Sequence, residues 1–408
     1  MEQQELIPHL FRTEYRKITA VLCRLFGMEH IEMAEDIAGE AFLTALETWP
    51  YKGVPQNPTA WLYFVAKNKA KNYLQRHTNF KQHIAPQLKK EEETFIDLSE
   101  KNISDSQLQM LFAICHPAIP VESQIGLALR ILCGFGIEEI ANALLSNKET
   151  INKRLVRARE KLRTANIAIE FRGNDAINER LQTVLTTLYL LFNEGYYSES
   201  SEAVLREELC LEAMRLTYLL IENPSTNLPQ VNALMALMCF HASRFEARKN
   251  ENGAIILYNE QDESLWNQEL ISKGILLLKN ASVGNTISKY HIEAGIAYWL
   301  TVKEDTEDKW QKTLQLYNQL LCMEYSHAAS LNRTYAFSKV YGNTAAIAEA
   351  EKLQLNNDHF YFTLLGELYK DTDAQKAKIN FEKALALAST SADKQTISNK
   401  IKALENFK

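Results

Sequence analysis

The chain has 408 residues, of which 46% are hydrophobic, enough to form the cores of two to four domains. It contains only 14 glycines and 9 prolines, so the composition predicts an all-α fold. The N-terminus lacks the positive charge of a signal peptide, and no apolar run could span a membrane, so we expect a cytoplasmic protein. The six cysteines show no paired spacing, which predicts buried thiols and argues against disulfides and a metal site.

The net charge of −6 argues against nucleic-acid binding by the chain as a whole. Residues 1–170 nevertheless hold 21 basic and 21 acidic side chains, while residues 171–408 hold 24 and 30 and so carry the whole excess. Within the first part the two signs are sorted into blocks along the chain. Each block falls on a periodic helical pattern or just after one.

The first block, residues 29–47, has six acidic residues and no lysine or arginine. Its apolar residues recur at intervals of three and four, which predicts a helix with one buried face. On the opposite face lie Glu32, Asp36 and Glu40. Helix breakers follow, and Asn57 before Pro58 predicts the capped start of a second helix.

The second helix runs from Thr59 to about Arg76, and residues 67–90 hold seven basic residues and no acidic one. One of its sides combines aromatic, amide and cationic groups: Trp61, Phe64, Asn68, Lys71, Asn72 and Gln75. Stacking aromatics beside cations suit unpaired bases better than a closed duplex. Packing of the two aromatic rings against a neighbouring helix is the alternative.

Residues 137–163 predict two helices joined by a tight turn, the pattern of a helix-turn-helix. Residues 148–163 contain seven basic and two acidic residues, and Ser146 with Glu149 fits a capping box. The second helix would project Asn152, Lys153, Arg154, Arg157 and Lys161 toward phosphates and base edges.

Three stretches together resemble a bacterial RNA polymerase sigma factor. AEDIAGEAFLTALETW resembles the polymerase-binding helix of sigma domain two, and NPTAWLYFVAKNKAKNYLQRH its promoter-melting helix. IEEIANALLSNKETINKRLVRAREKLR is similar to the helix-turn-helix of sigma domain four. The absence of a third domain between them matches the extracytoplasmic-function class. The resemblance implies a helical domain two at 1–85, a linker at 86–104 and a helical domain four at 105–170.

The resemblance also implies roles for matching positions, with core RNA polymerase and promoter DNA as partners and no cofactor, metal or catalytic residue. The polymerase-binding residues would be Glu32, Asp36, Glu40 and Phe42. The minus-ten element and its displaced strand would contact Trp61, Phe64, Lys67, Asn68, Lys71, Asn72 and Arg76. The minus-thirty-five element would contact Lys148, Thr150, Asn152, Lys153, Arg154 and Arg157. Many relatives have a glycine where this chain has Leu145, so the turn could be set differently.

The helical pattern of residues 171–408 predicts an all-helical extension, and we expect this extension to regulate the sigma domains. LYLLFNEGYYSES and NGAIILYNEQDESLW resemble a sigma subgroup with a tetratricopeptide-like extension, and residues 361–384 approximate one such repeat. A regulatory protein or a ligand would be its partner. Two other functions stay open: a helix-turn-helix regulator that is not a sigma subunit, and a helical protein-interaction scaffold. The extension shows no cluster of catalytic groups, so no enzyme is expected.

Overall fold

The computed structural model describes residues 3–76, 96–165, 167, 169, 174–197, 203–248, 256, 258–389 and 391–405. Every regular element in these residues is helical, which confirms the all-α prediction. Residues Met1–Asn227 and Leu228–Lys408 form two compact units, here called unit 1 and unit 2.

Unit 1 contains nine described α-helices. They are α1 (Gln3–Phe26), α2 (Ile31–Lys52), α3 (Pro58–Arg76), α4 (Glu100–Ile114), α5 (Val121–Leu127), α6 (Ile137–Ala143), α7 (Lys148–Thr164), α8 (Asn174–Tyr197) and α9 (Ala203–Glu222). A π-helical turn, Ala128–Leu132, follows α5, and a 3-10 turn, Met28–His30, precedes α2. Helix α1 packs against α2, α3, α4 and the π-helical turn, so it lies at the centre of this unit.

The start of α3 follows the sequence prediction. The Ala60 N–H donates to Asn57 Oδ1 at 3.0 Å, and Pro58 is the first helical residue. Helix α4 begins at Glu100, where Ser99 caps it, and so includes the last residues of the stretch expected to be a linker. Residues 86–95 of that stretch lie outside the described residues, and residues 96–99 form the described segment before the helix.

Helices α8 and α9 pack against each other and both contact α4; α8 also contacts α5, and α9 also contacts α6. Unit 1 therefore extends well past residue 171, where the extension was expected to begin. Amphipathic helices that follow a domain in sequence can complete its core, and their sequence does not reveal the partner.

Unit 2 contains α10 (Pro229–Ala242), α11 (Gln268–Ala281), α12 (Lys289–Trp299), α13 (Glu307–Met323), α14 (His327–Tyr341), α15 (Asn343–Glu351), α16 (His359–Tyr369), α17 (Ala374–Leu387) and α18 (Ser391–Glu405). From α12 onward each helix packs against the next, which places the cores between helical hairpins. The turn predicted at Asn252 and Gly253 lies outside the described residues. Five of the six cysteines are buried as predicted, but Cys322 is exposed.

Gly366 allows α16 and α17 to approach closely. A Cβ atom at this position would lie 2.5 Å from the ring of Phe381, which is fully buried. We expect Gly366→Ala to destabilise unit 2 by about 1–3 kcal/mol, because the packed ring cannot move away without cost. A lower melting temperature of the unit 2 transition would show this. Gly39→Ala is the control, since a Cβ atom there meets no atom within 4 Å, and it should be neutral or stabilising.

Candidate functional site

Three carboxylates form one exposed side of α2, here called the acidic face. Glu32, Asp36 and Glu40 point to solvent, while the helix buries an apolar stripe that includes Ala34 and Ala38. This is the arrangement that the spacing predicted. Leu43 and Leu46, each 53% exposed, continue the same side toward the end of the helix. The acidic face and its apolar neighbours together offer a surface for a protein partner: Glu32, Asp36, Glu40, Leu43 and Leu46.

Phe42 does not join this surface. Its side chain is only 3% exposed, and its ring lies edge-on to Phe11, with centroids 5.1 Å apart. The Tyr15 ring belongs to the same aromatic cluster, with its centroid 6.5 Å from the centroid of the Phe42 ring. The structure therefore gives Phe42 a packing role between α1 and α2, and its predicted contact with the polymerase does not agree with this burial.

The exposed side of α3, here called the stacking face, contains Phe64, Asn68, Lys71 and Asn72. The Phe64 side chain is 63% exposed, although a phenyl ring on a helix normally packs into a core. Trp61 is half-buried and lies edge-on to Trp49 of α2, with ring centroids 5.4 Å apart. Of these two rings, Phe64 is therefore the more exposed and the better placed for stacking.

Two further residues predicted to touch DNA are placed differently. Lys67 is half-buried and interacts with another group of the protein. Arg76 is the last residue of α3, and its side chain lies outside the described residues. An ion pair joins the acidic face to α3 outside the stacking face, with Lys69 Nζ 3.0 Å from Glu40 Oε2. Neither face is buried by the other.

Leu145 forms the turn between α6 and α7. Its φ of 46° lies in the left-handed region that favours glycine, so the leucine adopts a conformation that a glycine would adopt without steric cost. The helix cap differs from the prediction. The Thr150 N–H donates to Asn147 Oδ1 at 2.8 Å, so Asn147 caps α7, and the proposed cap at Ser146 is wrong.

We expect Leu145→Gly to stabilise the protein by about 0.5–1 kcal/mol, because it removes the steric cost of a left-handed leucine and offsets the added freedom of the unfolded chain. The leucine side chain is 67% exposed, so its removal loses little buried surface. Urea unfolding should show a higher midpoint with an unchanged slope. An unchanged or lower midpoint would contradict the assigned turn geometry.

One side of α7 is cationic, and its buried side is the predicted one, with Ile151, Leu155, Ala158 and Leu162 packed inward. The predicted DNA-contacting residues are exposed or half-buried on the other side: Lys148, Thr150, Asn152, Lys153, Arg154 and Arg157. A groove of about 570 Å³ runs between this side and the start of α5, and Arg154, Arg157 and Lys161 line it.

The cations of this face differ in their partners. Lys148 lies 2.8 Å from Glu138, and Lys153 lies 2.6 Å from Glu149. Within the part of the chain that the structure describes, Arg154 and Arg157 have no carboxylate within ion-pair distance. These two guanidinium groups are therefore the ones most available to an added anion, such as a phosphate.

Glu35 of α2 is a residue that the sequence analysis missed. Its carboxylate is buried and bonds two arginines from outside the first three helices, Arg130 Nε at 3.2 Å and Arg159 Nη2 at 2.7 Å. Burial raises the pKa of Glu35, and the two guanidinium groups oppose this shift. The sequence contained a signal, because Glu35 falls on the buried side of α2, next to Ala34 and one turn before Ala38.

Among the described residues, no group of three or more His, Cys, Asp or Glu side chains could hold a metal ion. No described helix is both long and apolar enough to cross a membrane.

Comparison with known families adds two domains and one relative. The sigma-70 region 2 family matches residues 10–80, and a family of unknown function, DUF6596, matches residues 180–282. An uncharacterized protein of Rhizobium meliloti (strain 1021) is 34% identical over 375 residues, which cover 89% of this chain and 88% of that protein. No solved structure matches the chain. The chain therefore belongs to the same family as the Rhizobium meliloti protein, and its N-terminal sigma-70 region 2 domain supports a role as a sigma factor in transcription initiation.

Proposed function

We propose that the chain is an RNA polymerase sigma factor of the extracytoplasmic-function class, with a C-terminal extension that modulates its activity. The observation that carries the proposal is the sigma-70 region 2 match over α1–α3, whose acidic and stacking faces are both exposed. A sigma factor needs one surface for the polymerase and another for DNA. The acidic face carries carboxylates that suit a cationic protein, and the stacking face carries an aromatic ring and a lysine that suit bases and phosphates.

In this proposal the acidic face binds a cationic surface of core polymerase. Carboxylates on one helix side steer and orient such a partner, and the exposed leucines beside them supply apolar contact area. The stacking face binds the minus-ten element and its displaced strand. Phe64 would stack on an unpaired base, which commonly contributes about 1–3 kcal/mol per base, and Lys71 would neutralise a phosphate.

Domain two would occupy residues 1–85 and domain four residues 105–170, joined by the linker at 86–104. In domain four, α7 would lie in the major groove at the minus-thirty-five element, with Arg154 and Arg157, which pair with no described carboxylate, facing the DNA. Residues 171–408 would form the regulatory extension, in which helical hairpins such as α16–α17 are tetratricopeptide-like. A regulatory protein or a ligand would bind there. Sigma-70 proteins are not enzymes, and we assign no catalytic residue.

A pull-down of bacterial core polymerase by the tagged full chain, followed by run-off transcription on fragmented genomic DNA, tests the proposal. We expect the chain to bind the core enzyme and to produce transcripts with defined start sites that the core enzyme alone does not make. Binding to duplex DNA without binding to polymerase would favour the helix-turn-helix regulator instead. Binding to neither would favour the protein-interaction scaffold.

Truncation after Asn227, the boundary between the two compact units, tests the modulating role of the remaining extension. The measured quantity is transcript yield at equal concentrations of the full and truncated chains. Unchanged yield would remove unit 2 from the regulatory assignment while leaving the sigma assignment intact.

A further inference from the structure

Helix α1 of the region 2 domain is bound by acidic residues from two other parts of unit 1. Arg12 Nη2 lies 2.8 Å from Glu139 of α6, and Arg12 also pairs with Glu208 of α9. One turn further, Arg16 Nη1 lies 2.5 Å from Glu212 of α9. The Arg16 and Glu212 side chains are 11% and 18% exposed, so this pair is screened little by solvent.

Helix α9 also contacts the π-helical turn, through Arg215, which is paired with Glu212 inside α9. Glu212 Oε2 lies 2.8 Å from Arg215 Nε, and the Arg215 Nη2 group donates to the backbone oxygen of Leu132, at 2.6 Å. Leu132 ends the π-helical turn just before α6. Glu212 and Arg215 therefore join α1 to the segment that leads into the helix-turn-helix, and we call Arg16, Glu212 and Arg215 the clasp.

A second contact between the same two parts is independent of α9. Buried Glu35 of α2 binds Arg130 of the π-helical turn and Arg159 of α7. Arg130 also donates to the Phe135 backbone oxygen at 3.2 Å, which fixes its position. Helix α2, which carries the acidic face, and helix α7, which carries the cationic side, are thus joined by a buried ion pair.

This closed arrangement conflicts with simultaneous binding of both promoter elements. Elements centred about 25 base pairs apart are separated by roughly 85 Å, at about 3.4 Å of rise per pair. A compact unit of 227 residues has a radius of gyration of about 17 Å, so it is roughly 45 Å across. While the clasp is closed, the stacking face cannot bind the minus-ten element at the same time as the cationic side of α7 binds the minus-thirty-five element.

We infer that the clasp, through which α9 binds α1, holds the two DNA-binding parts of unit 1 closed, and that promoter engagement requires its opening. The inference rests on the proposed sigma function. It assigns part of the region matched by DUF6596, residues 203–222, to intramolecular binding of α1. Full opening would break the Arg16–Glu212 pair, the Arg215–Leu132 hydrogen bond and the ion pairs of Glu35, whereas the Glu212–Arg215 pair lies within α9 and would persist.

Pulsed electron paramagnetic resonance on the full chain measures the closure directly. Spin labels are placed at Tyr51→Cys, next to α3, and Thr164→Cys, at the end of α7, in a Cys322→Ser background. Both positions are exposed, and the five remaining cysteines are buried. We expect one short distance in the otherwise unaltered chain, and a second population at least 20 Å longer in the Glu212→Arg variant.

The charge swap Arg16→Glu with Glu212→Arg restores opposite charges and should return the short distance, which separates clasp opening from loss of folding. Glu222→Arg, an equal change at an exposed site of the same helix, should leave the distance short. A Glu212→Arg chain that keeps only the short distance would overturn the inference, as would a failure of the swap to restore it.

The last measurement adds core polymerase and the genomic fragment that gives the strongest transcript. The labels should then report only the long distance. A short distance in that transcribing complex would overturn the clasp and leave the sigma assignment standing. The measurements on the free chain need no polymerase, so they judge the clasp even if the transcription experiment fails.

Discussion

Reversing two charges of the acidic face, in the variant Asp36→Lys with Glu40→Lys, should abolish binding of core polymerase. Each substitution removes an attraction to a cationic partner surface and adds a repulsion. Like charges placed together in an interface cost several kcal/mol, so we expect at least a hundredfold loss of affinity, about 3 kcal/mol. Titration of labelled chain with core enzyme measures the dissociation constant, and the effect should weaken as salt is raised.

Folding of this variant should be nearly unaffected, because both carboxylates are exposed and only the Glu40–Lys69 pair is lost. An exposed pair of this kind contributes about 0–1 kcal/mol. Lys69→Ala removes the same pair without touching the acidic face and should retain polymerase binding. Glu179→Lys with Glu222→Lys makes the same net charge change at other exposed sites of unit 1. Equal loss in that control would mean that net charge, and not the acidic face, governs binding.

The acidic face could be predicted from the sequence because helical periodicity fixes which side chains share a side. Ala34, Ala38 and Ala41 are fully buried, so the carboxylates between them had to point outward. Capping chemistry at Asn57 was equally local. Predictions of this kind depend on residues within one or two turns. The structure confirms these two, while at the start of α7 the cap is Asn147 and not Ser146.

The pattern of one helix was informative for Phe42 and left Trp61 open: apolar periodicity places Phe42 on the buried side of α2, as found, and only the family resemblance implied its contact with the polymerase. Whether an aromatic ring on an amphipathic helix faces the core or the solvent depends on the neighbouring helix, here through the rings of Phe11 and Trp49. Phe64, in contrast, has 63% of its side chain exposed. The three rings have similar hydrophobicity, so composition alone could not rank them.

The partners of Glu35 and the pairing of the clasp could not be predicted from the sequence for a related reason. The partners of Glu35 are Arg130 and Arg159, and the partner of Arg16 is Glu212, each about a hundred or more residues away in the chain. A charged residue on a buried face predicts that a partner exists but not which one. The placement of α8 and α9 in unit 1 follows from the same long-range packing.

Removing the two free guanidinium groups of α7, in Arg154→Ala with Arg157→Ala, should reduce binding to duplex promoter DNA by about 2–4 kcal/mol, or 30- to 1000-fold. If both contact phosphates, the slope of log affinity against log salt should also fall by about 2. Fluorescence anisotropy measures both, on the genomic fragment selected by transcription and on a random duplex of equal length. Lys394→Ala with Lys402→Ala, two exposed lysines of α18, is the control for charge alone.

The conservative variant Arg154→Lys with Arg157→Lys separates the two ways in which these residues could act. A lysine keeps the charge but lacks the planar pair of donors that binds a guanine edge through two hydrogen bonds. If the arginines only neutralise phosphates, the lysine variant should retain both affinity and salt slope. If one of them reads a base, the salt slope should persist while the preference for the selected fragment over the random duplex drops. Unchanged binding in the alanine variant would exclude both roles and remove the groove beside α7 from the DNA interface.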